Sequence, residues 1–192
     1  MTRRVRLDVE TRREQLLAAG IALFGSRPYA EVEIADIARA AAVSRGLLYH
    51  YFPDKRSFFA AVVGRQVAEL AHATRTDPAD PPGVRLRAGV DAYFDFIEAH
   101  PQWYRSLYRS TANADDVVRR LLDEAHSNQA HAILSLFPDV DPAPVQRLAV
   151  RSWIAFLASA GIGWLEGVHA SRDEVREMCC AALLAALGLE DT

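Results

Sequence analysis

Apolar residues recur at helical spacing along almost the whole chain, and no alternating strand pattern competes with them. Ile34, Ile37, Ala38 and Ala41 form one short stripe, Val43 plugs a turn, and Leu48 and Phe52 stripe the next segment. The stretch 34–59 therefore predicts two short helices joined by a tight turn and followed by a third, the layout of a helix-turn-helix. The opposite face of the second helix carries Arg45, Tyr49 and His50, which can donate hydrogen bonds to phosphates or base edges. The same periodicity also describes a plain helical hairpin.

Punctuation divides the rest of the chain. Thr11-x-x-Glu14 reads as a capping box opening the first helix. Asp54 can cap a helix through Phe58, Val62, Val67 and Leu70, stopped by the breaker-rich loop Thr76 to Gly83. Val84 to Ala99 reads as the next helix, and Pro101 suits the first turn of another through Tyr108. Further helices are expected from about Ala114 to Leu136, from Pro142 or Pro144 to Gly167, and from the capping box Ser171-x-x-Glu174 to Leu187. The expected organisation is a helix-turn-helix domain over 1–53, a connecting helix over 54–76 and a helical domain over 77–192. No internal repeat or low-complexity tract interrupts it.

Composition agrees with an all-α fold: 51% of 192 residues are apolar, enough for a sizeable core, and Gly and Pro sit mostly at breaks. The net charge of −3 conceals a split. Residues 1–66 hold 11 Arg or Lys against 7 Asp or Glu, a balance of +4, and residues 67–192 hold 11 against 18, a balance of −7. The basic segment is the one with the motif. It begins with Arg3, Arg4 and Arg6, readable either as an arm that follows a groove or as a solubilising tail. The N-terminus lacks an apolar signal region, and no uninterrupted apolar run approaches the roughly 20 residues of a spanning helix. A soluble, cytoplasmic protein without a membrane partner is expected.

Ile37-Ala38, Val43-Ser44-Arg45-Gly46 and Leu48-Tyr49-His50-Tyr51-Phe52-Pro53-Asp54-Lys55 resemble, position by position, the DNA-binding domain of the TetR family of bacterial transcriptional regulators. The likeness extends upstream through Leu16-Leu17-Ala18-Ala19 and Leu23-Phe24 to Tyr29. It implies an N-terminal three-helix DNA-binding domain, a C-terminal helical ligand-binding and dimerisation domain, and double-stranded operator DNA as partner. The residues it assigns to DNA are Ser44, Arg45, Gly46, Leu47, Tyr49, His50, Tyr51 and Lys55. Departures from the pattern are informative. Ala42 replaces a turn glycine that relieves a left-handed conformation, so a strained turn is expected. Val32 and Glu33 replace the usual hydroxyl cap, so the cap must come from the Glu33 carboxylate or water. Ala35 and Leu47 replace polar groups, so no relative's operator transfers.

The last two helices are unusual. Ala155, Ala158, Ser159, Ala160, Gly161 and Gly163 make the penultimate one apolar all round, and Val175, Met178, Ala182, Ala185 and Leu189 stripe the final one. A helix apolar on all sides needs cover on all sides, which points to a twofold homodimer through these two helices or to an internal buried helix. The family resemblance implies the dimer.

Tyr93, Phe94, Phe96, Trp103, Tyr104, Tyr108, Trp153, Phe156 and Trp164 concentrate aromatic surface between the motif and those helices. They are either core or the wall of a cavity. The resemblance places a ligand pocket here, with Tyr93, Phe96, Trp103, Tyr104 and Phe156 as candidates for a small-molecule effector site.

Other chemistry is thin. Cys179 and Cys180 are adjacent, which excludes an ordinary disulfide between them, and they have no companions for a zinc site. His126 and His131 are too widely spaced for a ligand pair and read as solvated surface. With no phosphate loop, nucleophile elbow or His-Glu-x-x-His run, no catalytic residue, metal or cofactor is expected. The reading is a ligand-responsive dimeric regulator, a repressor released by a small molecule. A DNA-binding regulator without an effector is the alternative, and a helical binding protein or enzyme sharing the hairpin is a third.

Overall fold

The computed structural model describes residues 8–110, 116–138 and 140–189, and every regular element among them is helical. The Arg3, Arg4 and Arg6 arm and the expected helix start at Ala114 lie outside the described residues. The described residues within Met1–Gln66 and Gln102–Arg119 form one compact unit, and those within Val67–Pro101 and Arg120–Thr192 form another. The grouping does not follow chain order, since the segment after Pro101 joins the first unit.

The first unit contains α1 (Val9–Ser26), a 3-10 turn at Tyr29–Glu31, α2 (Ile34–Ala40), α3 (Arg45–Tyr51), the start of α4 (Lys55–Ala73) and α6 (Pro101–Ser110). The α1 N-cap is Asp8, not Thr11: the Asp8 carboxylate accepts from the Thr11 amide at 2.8 Å and from its hydroxyl at 2.8 Å. Three residues earlier than expected, a charged acceptor meets the helix start, where it also complements the dipole. The core is aromatic. Phe24 stands edge-on to Phe59 with centroids 4.8 Å apart, and Phe52 does the same to Phe58 at 4.9 Å. At Gly20 a Cβ would lie 2.6 Å from Val62 Cγ2, so α1 and α4 approach closely only because that side chain is missing.

The second unit holds the rest of α4, α5 (Pro82–Ala99), α7 (Asp116–Leu134) from Arg120 on, α8 (Pro144–Leu165) and α9 (Arg172–Leu187). α8 lies against α9, and α5 against both. Ser171 caps α9 as the box predicts: its amide donates to Glu174 Oε2 at 2.7 Å, and its Oγ accepts from the Glu174 amide at 3.2 Å. Gly161 faces inward, where a Cβ would strike the Tyr93 hydroxyl and come within 2.9 Å of Ile97 Cδ1. Arg172 binds Asp95 at 2.8 Å, with Asp91 and Glu98 nearby, while Arg176 binds Asp91 and Asp173, so α9 is tied to α5 by a network of charges. Cys179 and Cys180 are buried beside Trp153, whose indole donates to the Cys179 carbonyl at 2.7 Å. His126 and His131 are exposed.

Among the described helices α8, 22 residues long, meets a membrane span's length and composition alone, although Arg147 and Arg151 interrupt its apolar run. Only 28% of that apolar window is buried. Val145 and Leu148 are 69% and 63% exposed, and Ala155, Phe156 and Ser159 continue the same uncovered face.

Candidate nucleic-acid interface and effector cavity

The turn between α2 and α3 sets how the polar face is presented. Ala42 adopts φ 52°, the left-handed conformation expected there. Around it the Val43 amide donates to the Ala38 carbonyl at 2.9 Å and the Ala42 amide to the Arg39 carbonyl at 3.1 Å, the two bonds of a Schellman ending. α9 closes with the same pair of bonds, from Leu189 to Leu184 and from Gly188 to Ala185, on a glycine with φ 73°. Glu33 is the N-cap of α2, and the Asp36 carboxylate accepts from the Glu33 amide at 3.2 Å, the reciprocal half of a capping box. That amide, followed by the Arg27 guanidinium 3.2 Å away, holds the Asp36 carboxyl below its ordinary value.

Ser44 caps α3 by accepting from the Leu47 amide at 3.2 Å. Leu48 and Phe52 are buried, so the helix turns its other side outward. Ser44, Arg45, Gly46, Tyr49 and His50 are exposed, while Leu47 and Tyr51 are half-buried. Among the described residues no ion-pair partner neutralises Arg45. A Cβ at Gly46 would meet nothing closer than Ser44 Oγ at 4.0 Å, so packing within the chain does not require a glycine there. Lys55 bends back: its Nζ sits 4.4 Å from the Tyr29 ring centroid and 3.4 Å from the Ala30 carbonyl. An ammonium has three donors, so others stay available for phosphate.

The second unit contains a cavity of about 290 Å³, walled in part by Arg75, Arg85, Gly89, Tyr93, Trp153 and Leu157. Of the five aromatics singled out in the sequence, Tyr93 lines it. Phe96 is buried with its ring against His100 at 4.7 Å, and Phe156 is 39% exposed on the outer face of α8. Trp103 and Tyr104 belong to the first unit, where the Trp103 backbone lies against Gly25 of α1. Arg75, Arg85 and Gly89 were not legible as cavity residues from aromatic content. The available signal was a lone glycine inside a helical pattern.

The family profile described as bacterial regulatory proteins, tetR family, matches residues 16–62, and one described as tetracyclin repressor-like, C-terminal domain, matches residues 82–186. The HTH-type transcriptional regulator BetI of Stenotrophomonas maltophilia is 31% identical over 165 residues, 81% of this chain and 81% of BetI. The HTH-type transcriptional activator FasR of Mycolicibacterium smegmatis is 38% identical over 111 residues, 55% of this chain, and the match spans about half of that relative's length, 49%. Among solved structures, a tetR-family transcriptional regulator from Streptomyces coelicolor has a TM-score of 0.81 at 35% identity, covering 95% of this chain and 84% of that one.

Proposed function

The chain belongs to the TetR family of DNA-binding transcriptional regulators, and from that premise we propose that it is a homodimeric repressor released from a short palindromic operator by a small molecule. The observation that carries the DNA reading is the uncovered polar face of α3, presented from Ser44 to His50 on a helix whose other face is locked into the core. In this reading Arg45, in the first turn, reads a base edge; Ser44, Tyr49, His50, Tyr51 and Lys55 contact backbone or flanking groups; Leu47 meets a thymine methyl; and Gly46 lets the DNA approach closely.

Dimerisation supplies the second half-site. The uncovered stripe of α8 (Val145, Leu148, Ala155, Ser159) and that of α9 (Met178, Ala181, Ala185) are what a twofold four-helix interface would bury. Two heads must then sit about 34–36 Å apart to enter successive major grooves. α4 is continuous from Lys55 to Ala73, and near and after its end Ala71, Thr74, Arg75 and Thr76 border the cavity. A ligand that displaces this end favours the released state by its difference in affinity for the two states, typically about 1–3 kcal/mol. The cytoplasm is the site of action.

Selection of bound sequences from random duplex, with sedimentation of the complex, tests the reading. One dimer on a palindrome with half-sites about one helical turn apart is expected. Sequence-independent binding, or one monomer per site, would overturn it.

A further inference from the structure

We propose that the cavity of the second unit takes a small amphiphilic carboxylate, its carboxylate held by Arg75 and Arg85 and its hydrocarbon body lying against Tyr93, Trp153 and Leu157. The inference rests on reading that cavity as the effector site. Charge decides the class of ligand. Arg87, Arg172 and Arg176 of the same unit are each paired with carboxylates. Arg75 and Arg85 have no such partner among the described residues, yet both line the cavity, and no Asp or Glu lines it with them. Arg85 uses its Nε on Thr76 Oγ1 at 3.3 Å, which orients the guanidinium and leaves its outer N–H groups for a bidentate acceptor.

Thr74, Gln129 and Ser135 add uncharged polar groups to the remaining wall, and its larger side chains are apolar or aromatic. The Tyr93 hydroxyl donates to the Leu157 carbonyl at 3.3 Å, and the Trp153 indole to the Cys179 carbonyl, so both rings present hydrocarbon inward. Leu86 and Val90 extend that surface. A volume of about 290 Å³ is at the lower end for ligand sites and suits a medium-chain or single-ring acid. Gly89 lies in the interior of α5, where glycine weakens a helix. A Cβ there meets Thr74 O and Thr76 Cγ2 only at 3.8 and 3.9 Å, so packing does not demand the glycine, which lies on the cavity wall.

Octanoate, octanol and octylamine, equal in chain length and different in charge, are titrated into the full-length protein by calorimetry. Octanoate is expected to bind about tenfold or more tighter than octanol, as a charge-assisted pair requires, with octylamine weakest. Arg75→Gln with Arg85→Gln lowers octanoate affinity to that of octanol and leaves octanol unchanged. Gly89→Leu fills the cavity and removes binding of all three, while retained operator binding reports an intact fold. Equal affinity for octanoate and octanol, or preference for octylamine, overturns the carboxylate assignment and leaves the cavity as an effector site. Binding by none of the three, or binding untouched by Gly89→Leu, overturns both.

Discussion

The Val43 amide donates to the Ala38 carbonyl at 2.9 Å across a left-handed Ala42, so the bend that aims α3 rests on an alanine in a conformation that favours glycine. The same ending in α9 uses Gly188. A left-handed L-residue costs about 1–2 kcal/mol, which glycine avoids. Ala42→Gly is therefore expected to stabilise the protein by about 1 kcal/mol after its larger unfolded-state entropy is counted. Ala42→Val should lose stability. Chemical denaturation checks both, and a destabilised Ala42→Gly would show that the turn is not strained.

Gly46 separates folding from DNA contact. With open space around its Cβ position, Gly46→Ala should raise helix stability by up to about 1 kcal/mol while weakening operator binding. Arg45→Ala should cost about 1–3 kcal/mol and relax preference at one position per half-site, whereas Lys55→Ala should weaken all sequences and flatten the salt dependence. Competition titrations on duplexes varied at each position read these apart. Uniform loss in Arg45→Ala would move that residue from base to backbone.

Ser159 lies on the uncovered face of α8, one turn from Ala155. Ser159→Glu would place an unpaired carboxylate in the proposed dimer contact, at a cost of several kcal/mol. Monomers in sedimentation, with unchanged helical content, are expected. A variant that remains dimeric takes this face out of the interface.

Burial pushes the Cys179 thiol from 9.0 to about 11 and the Cys180 thiol to about 12. Both pKa values are raised on folding, so the folded state holds these protons more tightly. The associated stability is full below pH 9 and declines as pH rises from there towards 11 and 12. Iodoacetamide at pH 8 should leave both thiols unmodified until denaturant unfolds the chain. Rapid labelling of the native protein would contradict their burial.

Features set by neighbours in the chain were legible from sequence. Ser171 and Glu174 cap each other because both partners lie within one turn, and the left-handed residue at 42 follows from where α2 must stop for Ser44 to start α3. The outward face of α3 followed from the spacing of Leu48 and Phe52 alone. What the tertiary structure decided was which distant surface each apolar residue meets. Periodicity marked Trp103 and Tyr93 alike as aromatic helix residues, yet Trp103 joins α1 in the first unit and Tyr93 meets Gly161 in the second. It also grouped Gly161 with Ser159, although one admits a tyrosine and the other faces outward. Hydrogen bonds of three to five residues' span are dictated locally, whereas burial depends on segments brought together from tens of residues away. For the same reason the pairing of Arg75 with Arg85 beside a cavity emerged only once the chain was folded.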